Sequence, residues 1–408
     1  MLKNIINTLF TRGAVAIFNF LILLLISRYL GSAVLGEISV LILSITIIQT
    51  VNEIYTGSAL VYFIPKSRLW PIYRNGLLFT LVCILLLNAV FVLLHIGNPA
   101  LSLHVCLLSF MITLNAFHNV CILACEKIVW YNRIQFLQPF LLMLTLAIGI
   151  FVLKRAELST YLFALYLSFG LTLLISGALV ASVHRHKQSG TDPSLTSILR
   201  NGFLNQLGNL AHTLSNRLNY YLLGSSALVG VYAGSTSLIE SLWIISGSVS
   251  PVILTHIANQ NDSGNNSRLT FLLAKLCFLL SAFCVLVLLF LPAGFFTALL
   301  GHDFTETKQI MLYLSPGVLV ISFSSILSHY FSALGNQRIL FIANSAGLAT
   351  TLLSAFPLIQ LFGIYGACYS ASLSYFMQSL VLTVVFMQGR NLHFSDLFRF
   401  RADLRLLR

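Results

Sequence analysis

Apolar positions along this chain come as long uninterrupted runs rather than as strand alternation or a single helical stripe. Residues 76–94, 100–125, 135–153, 158–183, 276–300, 309–337 and 339–389 contain no Lys, Arg, Asp or Glu. About twenty apolar residues cross a hydrocarbon core roughly 30 Å thick. A chain segment in lipid must satisfy its own backbone, which a helix does alone. Short polar breaks separate the runs, among them Gly335-Asn336-Gln337-Arg338 and Gln360-Leu361-Phe362-Gly363, the latter preceded by Pro357. The pattern predicts an all-α polytopic membrane protein of about twelve transmembrane helices. The expected spans are 9–30, 37–63, 76–96, 100–124, 136–153 and 159–183, then 203–223, 230–256, 270–292, 309–334, 339–359 and 364–388.

Composition agrees with this pattern. Charged residues make up 8% of the 408 positions, against about a quarter in a soluble domain, and mean hydropathy is +0.91. The net charge of +12 would suggest nucleic acid in a soluble protein. Here it lies in loops, where it fits anionic headgroups instead. Eighteen of the 23 Lys and Arg residues fall on one set of alternate loops and four on the other, while Arg217 lies within a span. Both termini are therefore expected in the cytoplasm, with an even number of spans. The first span has no small-residue cleavage site and reads as a retained helix. All seven cysteines sit in or beside apolar runs and read as packing residues; Cys121 and Cys125 lack the further ligands a metal site needs.

The chain also repeats. Tyr29-Leu30-Gly31-Ser32-Ala33-Val34-Leu35-Gly36 resembles Leu222-Leu223-Gly224-Ser225-Ser226-Ala227-Leu228-Val229-Gly230, at offsets of 193 and 194 residues. Six spans separate the copies, so both halves enter the membrane in one direction, as in transporters built from parallel repeats. This gives an N-terminal six-helix bundle over 1–183, a cytoplasmic linker over 184–200, a C-terminal six-helix bundle over 201–389 and a basic amphipathic tail over 390–408.

Leu30-Gly31 with Gly36, then Ala333-Leu334-Gly335-Asn336-Gln337-Arg338 with Asn344, and Gly363-Ile364-Tyr365-Gly366-Ala367 together resemble the O-antigen flippases of Wzx type. Those proteins are part of the multidrug, oligosaccharidyl-lipid and polysaccharide (MOP) exporter superfamily, which is MATE-like. The resemblance implies two six-helix bundles related by a pseudo-twofold axis and alternating access in the bacterial inner membrane. The implied cargo is undecaprenyl-pyrophosphate-linked oligosaccharide carried from the cytoplasmic to the periplasmic leaflet for surface polysaccharide. Its implied partners are that lipid-linked substrate, membrane lipids and other polysaccharide-assembly proteins.

The polar residues inside the spans are the candidates for function. Asn201, Asn205, Asn209, His212, Asn216 and Asn219 recur at steps of three and four and share one face of the seventh span. Such a stripe is expected either to line a water-filled cavity that binds sugar hydroxyls or to bond neighbouring helices. Arg217 and Arg12 are candidates for the pyrophosphate, whose oxygens suit a guanidinium fork. The competing expectations are an ion pair of Arg217 with Glu240 and snorkelling of Arg12 to the headgroups. Glu53, beside Gln49 and Asn52, and Glu240 are candidates for coupling to H+ or Na+; either could equally lock packing. No cofactor or metal is expected.

An enzyme is disfavoured, because no extramembrane loop holds paired carboxylates, a nucleotide loop or a metal cluster. A channel is disfavoured for want of a filter sequence. A multidrug or cation antiporter of the same superfamily, and a lipid II or teichuronic-acid exporter, remain as alternatives. The expected cavity is lined by the first, second, seventh and eighth helices.

Overall fold

The structure is a computed structural model and describes residues 2–186, 194–249 and 263–388. The expected C-terminal amphipathic tail and residues 187–193 of the expected linker lie outside the described residues. Among those described there is no strand, and twelve helices of fifteen residues or more follow one another. They are α1 (Leu2–Leu25), α2 (Gly31–Thr56), α3 (Leu69–Leu93), α4 (Ser102–Ala124), α5 (Ile128–Ala147), α6 (Leu158–His186), α7 (Leu195–Arg217), α8 (Ser226–Glu240), α9 (Ser263–Phe290), α10 (Thr307–Ala333), α11 (Gln337–Phe362) and α12 (Ile364–Gln388). Eleven of them fall within segments long and apolar enough to cross a membrane. The exception is α7, which has the length but not the apolar composition.

Several boundaries differ from the sequence expectation for local reasons. Residues 195–200, expected as linker, open α7, because the Ser194 carbonyl accepts from the amides of Ser197 and Ile198 and starts the helix there. The break at Leu291-Pro292, between α9 and a separate short helix Ala293–Leu300, falls where the span expected over 270–292 ends. α1 and α5 each end in a π-helical turn, Ile26–Leu30 and Ile148–Val152. α8 stops at Glu240; after a turn at Ser241-Leu242, helix resumes over 243–249.

The described residues group into two compact units. One runs up to Leu210 and includes Ser225–Gly230 and Leu299–Gly301; the other holds Ala211–Gly224, Val231–Ala298 and the residues from His302 on. The division thus falls inside α7. In the first unit α1 packs on α5, α5 on α6, α4 on α6, α2 on α4 and α3 on α4. In the second, α11 packs on α12, α10 on α12 and α9 on α10. There Thr351 Oγ1 of α11 also donates to the Ser215 carbonyl of α7, and Ser235 Oγ of α8 donates to Thr307 Oγ1 of α10. These are the same five pairings shifted by six helices, so the parallel repeat seen in the glycine motifs extends through the packing.

Polar side chains tie equivalent helices. Asn115 Nδ2 donates to Thr172 Oγ1 at 2.7 Å, and His118 bonds Ser176 at 2.9 Å, joining α4 to α6. Ser324 and Ser379 bond at 2.6 Å between α10 and α12. Lipid offers no water to compete with such bonds and gives no hydrophobic drive between helices, so they and close packing carry the association. Apolar clusters complete each unit, one around Tyr55, Phe117, Ile122 and Ile198, the other around Phe271, Ile326, Tyr330 and Phe386.

The repeat motifs meet directly. A Cβ placed on Gly36 would lie 1.8 Å from the Ser226 carbonyl oxygen, and one on Gly230 would lie 1.8 Å from that of Ser32. α2 and the first turns of α8 therefore cross reciprocally at their two glycines, as small-xxx-small helix pairs do.

Candidate functional site

The polar stripe of α7 divides along its length. Asn201 and Asn209 are exposed, Asn205 and His212 half-buried, and Asn216 and Asn219 buried. Within the first unit, Asn201 Nδ2 donates to the Ser197 carbonyl and Asn209 Nδ2 to Gln206 Oε1 at 2.9 Å. Asn205 Nδ2 reaches Ser58 Oγ at 3.5 Å. Gln206 is buried, with its amide nitrogen against Gly57, just past the end of α2. Close by in the chain, Gln49 Nε2 donates to Glu53 Oε1 at 2.9 Å, and Asn52 is fully buried beside them. The first unit thus holds a half-buried carboxylate with an amide donor one helical turn away.

The second unit holds a tighter network. Gln378 Oε1 can only accept, so His212 Nδ1 donates to it, at 3.3 Å. Asn216 Nδ2 lies 3.1 Å from His212 Nε2 and continues the chain of bonds. Gln378 Nε2 donates to Ser215 Oγ at 2.8 Å, and Ser215 bonds Ser374. Asn219 Nδ2 donates to the Ala367 carbonyl at 3.1 Å. So the latter part of the stripe bonds helices together, and its earlier part leaves amide groups exposed.

Arg217 and Glu240 form a two-pronged ion pair. Arg217 Nη1 donates to Glu240 Oε1 at 3.2 Å and Nη2 donates to Oε2. Tyr375 OH of α12 donates to the same Oε1 at 2.7 Å. The Arg217 guanidinium also lies over the Tyr220 ring, 5.5 Å from its centre. The side chains are 27% and 6% exposed, so the carboxylate is enclosed while part of the guanidinium stays open. Each partner stands at a helix irregularity: α7 is interrupted at Leu218, and α8 stops at Glu240. Broken helices at membrane depth are tolerated where side chains re-satisfy the freed backbone or line a cavity.

Arg12 lies on α1 in the first unit and is exposed. α1 packs on α5 through Phe18 against Phe136 and Phe140. The structure therefore brings Arg217, His212, Asn216, Asn219 and Glu240 together in one unit. Glu53, Asn205 and Asn209 lie in the other, as does Arg12. Sequence reasoning missed Tyr375, Gln378 and Ser374. The signal was present, because Ser370, Ser374 and Gln378 recur every four residues on α12 beside Tyr375. Among the described residues no cluster of three or more metal-ligating side chains occurs.

No protein-family model matches the sequence, and no curated protein matches it. Solved structures do match. The lipid II flippase MurJ in an inward closed conformation aligns over 100% of this chain and 91% of its own, with TM-score 0.76 and 15% identity. An inward-facing multidrug resistance MATE family transporter of the MOP superfamily aligns over 96% of each chain, with TM-score 0.67 and 16% identity. A point mutant of the Vibrio cholerae MATE transporter VcmN aligns over 96% of each, with TM-score 0.64 and 15% identity. The chain is a multi-pass membrane protein with an exporter fold. More narrowly, the fold is the one shared by the MurJ flippase and the MATE transporters of the MOP superfamily.

Proposed function

We propose that this protein is a flippase of the bacterial inner membrane, moving an undecaprenyl-pyrophosphate-linked oligosaccharide from the cytoplasmic to the periplasmic leaflet by alternating access. The observation that carries the reading is α7, a helix of spanning length too polar for lipid, with exposed amides followed by a partly open guanidinium. Exposed amides suit sugar hydroxyls. The guanidinium of Arg217 suits pyrophosphate oxygens. The MurJ likeness supports a lipid-linked cargo, whose prenyl tail would remain in the bilayer while the polar head crosses.

Glu53 is the better coupling carboxylate of the two. Its observed partner is a neutral amide, so binding of H+ or Na+ there breaks no ion pair. Glu240 is committed to Arg217 and Tyr375, and in this reading it holds the guanidinium in place between substrate encounters.

The test is deletion of the gene, followed by measurement of surface glycan and of lipid-linked repeat units. Loss of surface glycan with lipid-linked units accumulating at the inner leaflet is the expected result. Unchanged glycan with new drug sensitivity would move the protein to multidrug export, the alternative that the MATE likeness supports.

A further inference from the structure

A cavity with a volume of about 500 Å³ lies in the first unit between α1, α5 and α6. Its lining combines polar Asn7 and Thr11 from α1 and Arg133 from α5 with apolar Phe136 from α5 and Ile175 from α6. Arg133 is exposed, and its guanidinium stacks on the Trp130 ring, 4.8 Å from the ring centre. Among the described residues no carboxylate pairs with it. Asn132 Nδ2 donates to Thr8 Oγ1 at 2.9 Å, pinning α5 to α1 beside the cavity.

Position and polarity specify the occupant. Its polar lining comes from the first three turns of α1 and the first two of α5, on the side expected to carry most of the Lys and Arg. A tryptophan there marks the headgroup level. From Val129 to Leu137 the α5 wall runs about 12 Å, at 1.5 Å per residue, from that level toward the hydrocarbon. A stacked guanidinium keeps its edge N–H groups free for oxygen acceptors. Among the described residues no carboxylate lines the cavity, so the site carries net positive charge.

We infer that this groove binds an anionic phospholipid of the cytoplasmic leaflet, with its phosphate on Arg133 and an acyl chain along Phe136 and Ile175. The readout is retained phospholipid rather than glycan export, so failure of this inference and failure of the proposed function are distinguishable. The full-length protein in mild detergent is exposed to equimolar phosphatidylglycerol and phosphatidylcholine, and bound lipid is counted by native mass spectrometry. Phosphatidylglycerol should be retained preferentially. Arg133→Gln should weaken that binding about tenfold or more, the loss of a charge-assisted bond, and Arg133→Lys should restore part of it. Ile175→Trp, which adds bulk to the apolar lining, should weaken binding with Arg133 intact. Arg68→Gln, at an exposed arginine outside the groove, should change nothing. Equal retention of the two lipids, or full binding in either Arg133→Gln or Ile175→Trp, overturns the inference.

Discussion

The crossing of α2 with the first turns of α8 gives the most exacting test of how the repeat is built. In Gly36→Ala the new methyl would sit 1.8 Å from the Ser226 carbonyl oxygen. A relaxed carbon–oxygen contact needs about 3.3 Å, so the helices must part by roughly 1.5 Å. The obstructing atom is backbone, so no side-chain rotation relieves it. Overpacking usually costs about 1–3 kcal/mol, and this site should lie at the upper end, near 3 kcal/mol. Gly230→Ala meets Ser32 at the same 1.8 Å and should cost about the same. Both clashes are relieved by one displacement, so the double variant should lose little more than either single one, a coupling of about 3 kcal/mol. Equilibrium unfolding of the purified protein in mixed micelles measures all four corners of the cycle. A Gly36→Ala protein within about 0.5 kcal/mol of the parent would refute the crossing geometry. A double variant losing the sum of the two singles would refute the shared displacement.

The ion pair and the stripe allow further tests. Arg217→Gln should destabilise the second unit by about 3–5 kcal/mol, the cost of stranding the enclosed Glu240 carboxylate, whereas Arg217→Gln with Glu240→Gln together should cost much less; the same unfolding assay decides. If Arg217 contacts substrate phosphate, that neutral pair should still fail in glycan export when its stability is recovered, and restored export would make the pair purely structural. Asn219→Ala should cost about 0.6–1.7 kcal/mol, the range for a buried polar contact between membrane helices, while Asn201→Ala, at an exposed amide bonded only within its own helix, should leave stability unchanged and reduce export. Glu53→Gln should abolish the dependence of export on an ion gradient, measured in cells with and without an ionophore; an unaltered dependence would remove Glu53 from coupling.

The spans were legible because a membrane imposes one demand, length without charge, that a single sequence displays directly. The breaks in α7 at Leu218 and in α8 after Glu240 were not, since nothing in Arg217-Leu218-Asn219 or Glu240-Ser241-Leu242 is a strong helix breaker. The irregularity follows from tertiary bonds those residues make, such as the ion pair and the reach of Asn219 to the Ala367 carbonyl. The asparagine stripe was legible as a pattern, but its division into exposed and bonded parts depends on which helices pack over it. Tyr375 and Gln378 were hidden for a related reason. A tyrosine and a glutamine in a serine-bearing helix resemble ordinary interhelical glue until a carboxylate and an imidazole are seen facing them.

The repeat and the chemistry follow different rules, and that contrast bears on mechanism. Shifted back by 193 or 194 residues, Arg217 falls on Leu24 or Leu23, and Glu240 on Ile47 or Thr46. Shifted forward, Glu53 falls on Ser246 or Gly247. The crossing glycines correspond, and so do the helix pairings, but none of these three charged groups has a charged counterpart in the other half. A symmetric frame lets two bundles exchange equivalent packing arrangements at little difference in energy, which a two-state transporter requires. Direction cannot come from such a frame alone. In the proposed reading it comes from groups that distinguish the halves: an amide-partnered carboxylate in the first unit, and a guanidinium held by a carboxylate and a tyrosine in the second. If the proposed coupling holds, Glu53→Gln should cost the protein its directionality and not its fold.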